Sequence, residues 1–138
     1  HPTMKGIAAS LSAKDMADIA AYYENHGKDS APAVPEKAAD ASGKAAELVT
    51  KGACTSCHGA NLNKPMVPGY PKIAGQHKDY VFVALKSYKS ENQATWGRNN
   101  GVMGGVAKQF TLEELKELAA YVSQQQGDLQ TVPQAKFR

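Results

Sequence analysis

Two cysteines and a histidine carry the most evident chemistry in this sequence. Cys54 and Cys57 are separated by two residues, and His58 follows at once. This C-x-x-C-H spacing is the attachment signature of a c-type haem. Both thiols can reach the two vinyl groups on one porphyrin edge and form thioethers, and the next residue turns its imidazole toward the iron. The motif therefore predicts one haem c, covalent through Cys54 and Cys57, with His58 as an iron ligand.

Other uses of these thiols fit the sequence less well. The chain has 2 cysteines, and their proximity excludes a disulfide between distant segments. A zinc site needs four ligands, for which the candidates beyond the motif are His77 and His26, and the adjacent Cys57 and His58 rarely point at one tetrahedral ion. A thioredoxin-like dithiol would follow a strand, whereas a helical segment precedes this motif.

A second iron ligand would approach from the opposite face of the porphyrin. The candidates are Met66, His77, Met103, Met4 and His26. Met66 follows His58 too closely to cross the ring, and His77 stands where a helix begins. Met103 lies in a glycine-rich loop before the last predicted helix, and glycines let a backbone approach a flat ring. Packing is the ordinary role of a loop methionine, but this context favours Met103, and Met4 is not assigned as a ligand. His/Met ligation raises the reduction potential and closes the iron to oxygen and peroxide.

Composition describes a globular chain of one ordinary domain, with 138 residues, 42% hydrophobic residues and a net charge of +3. No apolar run approaches the roughly 20 residues of a membrane span. The start at His1 lacks an apolar signal segment, so we expect a processed protein or a piece of a longer one. The lysines are scattered, which argues against a nucleic-acid or membrane arm. They are expected on the solvated surface, with steering toward an acidic redox partner as the alternative. They include Lys64, Lys72, Lys78, Lys86, Lys89, Lys108 and Lys116.

Four stretches have helical periodicity and none alternates like a strand. They are 12–25, 42–52, 78–90 and 111–127. Ser12 with Asp15, and Thr111 with Glu114, predict capping boxes at two helix starts. The stretches 59–77 and 91–110 are predicted to be irregular. They are long for so small a domain unless a prosthetic group fills its middle.

The sequence repeats itself without a gap at an offset of 99. Met4 aligns with Met103, and Ser12 aligns with Thr111. The segments 20–22 and 119–121 align as Ala-Ala-Tyr. Because loop residues align as well as helix residues, we interpret the repeat as a duplication whose first copy has no C-x-x-C-H motif before it.

These features together resemble the class I c-type cytochromes, over about residues 42–127. The segment Tyr70-Pro71-Lys72-Ile73-Ala74-Gly75-Gln76, followed by Tyr80 and Leu85, is similar to the bacterial di-haem (c-four) group in particular. The resemblance implies an all-α cytochrome c domain around one haem, preceded by an extra N-terminal helix. It also implies that the family's first and last helices cross, which would bring the Gly52 region against the last helix.

The resemblance assigns further roles beside the haem. The Pro71 carbonyl would accept the Nδ1 proton of His58. Ile73 and Tyr80 would bind the haem. Trp96 and Arg98 stand where similar proteins hydrogen-bond the propionates, with an ordinary core tryptophan and a surface arginine as the alternative.

The resemblance also divides the chain. Residues 1–27 would be the C-terminal remnant, a loop plus a helix, of a preceding cytochrome c domain. Residues 28–41 would be a linker, 42–127 the cytochrome c domain and 128–138 a tail. The chain would then be a fragment of a di-haem protein. Two alternatives are a natural mono-haem protein, and a chain whose Met4 reaches a neighbour's haem.

The function implied is periplasmic transfer of single electrons, without enzymatic chemistry. The expected partners are a quinol-oxidising complex and a terminal oxidase or reductase, and no nucleic acid. Docking to a membrane complex and association of copies through the N-terminal helix are both left open. One alternative is a haem-bearing electron-acceptor subunit of a dehydrogenase complex. Another is a haem sensor, which would need an open sixth position on the iron.

Overall fold

The computed structural model describes residues 2–26, 33, 35–36, 43–90 and 97–128. These ranges contain helices and no strand, which confirms the predicted all-α class. The helices are α1 (Pro2–Ala9), α2 (Ala13–Asn25), α3 (Lys44–Lys51), α4 (Cys54–His58), α5 (Lys78–Lys89), α6 (Gly101–Lys108) and α7 (Leu112–Ser123). Across these same ranges, no helix has both the length and the apolar character needed to cross a bilayer.

The chain forms two compact units. The described part of the first holds α1 and α2, and the second, which ends at Asp128, holds α3 to α7. The predicted linker 28–41 lies mostly outside the described residues, as does the predicted tail 128–138 apart from Asp128.

Both predicted capping boxes are confirmed. The Thr111 hydroxyl accepts a hydrogen bond from the Glu114 N–H at 3.2 Å, and the Glu114 carboxylate accepts one from the Thr111 N–H at 2.7 Å. Ser12 and Asp15 make the same pair of bonds at the start of α2. These bonds satisfy N–H groups that have no partner within a helix. The Ser12 hydroxyl also donates to the Asp15 carboxylate, and this bond together with that from the Ser12 N–H lowers the pKa of Asp15. The hydrogen bond from the Thr111 N–H lowers the pKa of Glu114.

The loop predicted around Met103 is instead helical, as is the one around Met4. Gly101–Lys108 forms α6 within the stretch predicted to be irregular. Asn100 caps this helix, since its side-chain oxygen accepts a hydrogen bond from the Met103 N–H at 3.0 Å. The pattern of apolar residues did not predict this helix, because the segment is rich in glycine, which has a low helix propensity.

Two lysines stabilise the end of α6 from other helices. Lys51 Nζ donates to the Gln109 carbonyl at 3.0 Å, and Lys89 Nζ donates to the Phe110 carbonyl at 2.7 Å. Cationic side chains are favourable here because the last carbonyls of a helix lack partners and carry partial negative charge. Lys89, expected on the solvated surface or as a steering charge, therefore has a defined structural contact.

The last helix forms the centre of the second unit. α7 packs against α5 and α3, and it buries Leu115, Leu118, Ala119, Tyr121 and Val122. The expected packing of the first helix of the domain on the last is confirmed by the contact between α3 and α7, and the nearest distant neighbour of Gly52 is Phe110, just before α7. A Cβ atom on Gly52 would lie 3.1 Å from the Phe110 ring. Gly52 therefore permits a close approach between the end of α3 and the segment that enters α7.

The sequence repeat is also a repeat of conformation. Adding 99 to the bounds of α1 gives those of α6, and the starts of α2 and α7 are related in the same way. The turn between the helices is repeated as well. The Ser10 N–H bonds to the Ile7 carbonyl, and the Gln109 N–H bonds to the Val106 carbonyl. Each unit thus contains the same helix–turn–helix, including its hydrogen bonds.

Candidate functional site

The two cysteines and the histidine share one short helical turn, α4. It is bounded by two residues with positive φ, Ala53 at 46° and Gly59 at 87°. These reversals separate the turn from α3 and from the loop that follows. Cys54 and Cys57 are half-buried free thiols, while His58 is buried, with 6% of its surface exposed.

The ring of His58 is fixed by one hydrogen bond. Its Nδ1 lies 2.8 Å from the Pro71 carbonyl oxygen. Because a carbonyl can only accept, Nδ1 carries the proton of this bond, and in the neutral imidazole Nε2 is then the nitrogen with the lone pair. A histidine in this tautomer is prepared to bind a metal ion through Nε2, with its orientation and basicity set by the carbonyl.

The segment that provides this carbonyl is itself held by the backbone of Leu62. Leu62 is completely buried, with a left-handed φ of 56°. Its carbonyl accepts hydrogen bonds from the N–H groups of Ile73 and Ala74, at 2.8 and 3.0 Å. An unfavourable conformation of a non-glycine residue persists only where its surroundings enforce it. Leu62 therefore holds residues 71–74, the Pro71 segment, in place. No sequence motif predicted this role.

The predicted site residues come together around one cavity of about 320 Å³. This volume falls in the range of ligand pockets, roughly 300–1,000 Å³. Its walls include Leu85, Leu118 and Val122, so the cavity suits a large apolar group. The predicted site residues among its walls are Cys54, Cys57, His58, Pro71, Ile73, Tyr80, Arg98 and Met103. Trp96, also predicted, lies outside the described residues.

Arg98 brings a positive charge to this apolar cavity. Its guanidinium donates to the Tyr80 hydroxyl at 2.9 Å and to the Tyr88 hydroxyl at 3.5 Å. The hydrogen bonds to Tyr88 and Tyr80 raise the pKa of Arg98, so the cation persists. A held guanidinium is suited to a carboxylate, such as a haem propionate. Tyr88 was not predicted as a site residue, although it lies on α5 at helical spacing from Tyr80 and could have been inferred from that spacing.

The rival ligands lie elsewhere. Met66 is 73% exposed and is absent from the cavity walls. His77 is exposed at the N-terminal end of α5. Met4 and His26 belong to the first unit.

Within the part of the chain that the structure describes, the side chains around these thiols do not provide a four-ligand zinc site. Burial raises the pKa of the Cys54 thiol. Where the structure describes the chain, no three side chains of His, Cys, Asp or Glu are grouped to hold a metal ion. The apolar walls, the free Nε2 and the retained cation instead fit a haem.

Comparison with known proteins gives a consistent result. The family model described as "Cytochrome c" matches residues 42–126. A "Cytochrome c4" of Stutzerimonas stutzeri is 30% identical over 127 residues, covering 86% of this chain and 58% of the relative. A "Cytochrome c4" of Thiocapsa roseopersicina is 37% identical over 82 residues, covering 59% of this chain and 39% of the relative.

A differently named relative is also similar. A "Thiosulfate dehydrogenase electron acceptor" of Thiomonas intermedia is 36% identical over 70 residues, covering 51% of this chain and 30% of the relative. The chain spans little more than half the length of the curated relatives that match most of it, from 57% to 60%.

Proposed function

The chain belongs to the cytochrome c family and carries a haem c on Cys54 and Cys57, and we propose that it is a periplasmic electron carrier whose iron is ligated by His58 and Met103. One observation carries this proposal: both thiols, His58 and Met103 line the same apolar cavity. The bound haem supplies one-electron exchange between Fe(III) and Fe(II).

Met103 is favoured as the sixth ligand by its surroundings. Its side chain is half-buried at the cavity wall, on a helix whose start is fixed by Asn100. A methionine held at the iron raises the reduction potential and leaves no open position for oxygen or peroxide. The chain therefore acts as a carrier and not as an enzyme. Periplasmic localisation follows from the covalent attachment, which in bacteria takes place outside the cytoplasmic membrane.

We propose a quinol-oxidising complex as the electron donor and a terminal oxidase or reductase as the acceptor. The similarity to a protein named as a thiosulfate dehydrogenase electron acceptor supports an alternative. In that case the chain would receive electrons directly from a dehydrogenase. The difference lies in the protein that reduces the haem, since the haem site is the same in both cases.

The experiment that tests this function is a redox titration of the haem-loaded protein. We expect one reversible one-electron step, no binding of carbon monoxide to the native ferrous form, and a mass increase of one haem. Cys54→Ala/Cys57→Ala should abolish the covalent mass increase, because no thioether can form. Rapid carbon monoxide binding or turnover of peroxide by the native protein would contradict the carrier. Stable co-purification with a dehydrogenase subunit would favour the alternative.

The division of the chain is a second proposal. We infer that residues 1–27 correspond to the end of another cytochrome c core, joined by the linker 28–41 to the domain at 42–127, which the tail 128–138 follows. The exposed apolar residues of α2 support this, because their equivalents in α7 are buried. Met16 is 45% exposed and its equivalent Leu115 is 0% exposed, and Ile19 at 43% corresponds to Leu118 at 4%.

Mass and haem content of the protein isolated from its source test this division. A second core predicts two haems and a mass near twice that of this chain. One haem on a chain of this mass would overturn the proposal. In that event, a dimer would indicate that α1 and α2 serve association between copies.

A further inference from the structure

An ion pair joins the segment that orients His58 to the segment after α7. Lys72, the residue after Pro71, places its Nζ 2.5 Å from Oδ2 of Asp128. The two side chains are 42% and 26% exposed. Burial by itself raises the pKa of Asp128, but the hydrogen bond and charge of Lys72 outweigh it and the net pKa is lowered. The Asp128 carboxyl is therefore ionised at neutral pH.

The chain around Asp128 is packed directly on the same segment. A Cβ atom on Gly127 would lie 2.4 Å from the Ala74 carbonyl oxygen, and the Gly75 N–H bonds to the Val122 carbonyl at 3.1 Å. The Asp128 N–H also donates to Asn63 Oδ1 at 3.4 Å. The end of α7 and the segment after it thus contact residues 72–75, and Leu62 bonds Ile73 and Ala74 within the same stretch.

We propose that Lys72 and Asp128 are positioning residues for the axial histidine, and that their ion pair tunes the haem reduction potential through the Pro71 carbonyl. The inference rests on the proposed function, because it takes His58 as an iron ligand. A carbonyl held close to Nδ1 makes the imidazole a stronger donor, which favours Fe(III). Loosening the Pro71 segment weakens this bond and shifts the equilibrium toward Fe(II).

A charge-neutral double variant tests the inference on the haem-loaded full chain. Lys72→Met/Asp128→Asn removes the ion pair without changing the net charge. We expect the equilibrium to shift toward Fe(II) by about threefold, which is roughly 30 mV because 59 mV is tenfold for one electron. The solvent exchange of the His58 Nδ1 proton, measured by NMR in the ferrous protein, should become faster.

The single variants separate position from charge. If the pair acts only through its charges, Lys72→Met lowers the haem reduction potential and Asp128→Asn raises it. The double variant then leaves the reduction potential unchanged. If it acts through position, all three variants speed the Nδ1 proton exchange. Lys72→Arg, which keeps the charge and a donor, should restore the native values.

A matched control is the exposed pair Glu113–Lys116 on α7, joined at 2.9 Å. Glu113→Gln/Lys116→Gln should leave the potential and the proton exchange unchanged. An unchanged potential and unchanged exchange in the Lys72/Asp128 double variant would overturn the inference. Failure of the proposed function gives a different result, because a native protein without His58 ligation would lack the low-spin spectrum before any substitution.

Discussion

Replacing Met103 by alanine is expected to convert a closed, low-spin haem into one that is high-spin or binds added ligands. The truncated side chain cannot reach the iron, so carbon monoxide, cyanide or imidazole gains an open position. The reduction potential should fall by on the order of 100 mV, a modest part of the about 0.8 V range that axial ligands set. Visible spectroscopy of the oxidised protein measures the change as loss of the weak far-red band that reports methionine–iron ligation.

The matched control is Met66→Ala. Met66 is a methionine of the same unit but is 73% exposed and is not among the cavity walls. Its removal should leave the spectrum and the potential unchanged. A far-red band that survives Met103→Ala would exclude Met103 as the ligand, and a band lost only in Met66→Ala would reverse the assignment.

Replacing Gly59 by alanine is expected to lower the free energy of unfolding of the haem-loaded protein strongly. Gly59 directly follows His58, has a φ of 87°, and lies so close to Lys64 that an added Cβ would be 2.1 Å from its carbonyl oxygen. Either the turn after His58 or the loop to Lys64 must move. We expect the free energy of unfolding to fall by about 4 kcal/mol or more, in the exceptional range for one substitution. Guanidinium unfolding of the haem-loaded protein, and the yield of that protein, measure the effect.

The control for this substitution is Gly105→Ala. Gly105 lies inside α6, and a Cβ atom there would meet nothing within 4 Å. Because alanine is the better helix former, stability should be unchanged or slightly higher, by up to about 1 kcal/mol. Equal and small effects at both positions would contradict the strain inferred at Gly59.

The helix starts show how much of the fold can be predicted from the local sequence. The starts of α2 and α7 were predictable because Ser12, Thr111 and their acidic partners interact within one turn. Helix α6 was not predicted, because its glycines have low helix propensity. Its C-terminal end is held by Lys51 and Lys89, which belong to other helices. Contacts between residues that are far apart in the sequence do not affect the local periodicity of apolar residues, so they cannot be predicted from it.

The haem motif was determined by the sequence alone, because Cys54, Cys57 and His58 act within one helical turn and their spacing fixes the chemistry. The resemblance implied the Pro71 contact, and the geometry that makes it came only with the fold. Tertiary structure alone decided how that carbonyl is held, since Lys72 and Asp128 are 56 residues apart and Leu62 adopts a left-handed conformation only within its packing. Such contacts depend on which segments pack together, a property of the whole fold.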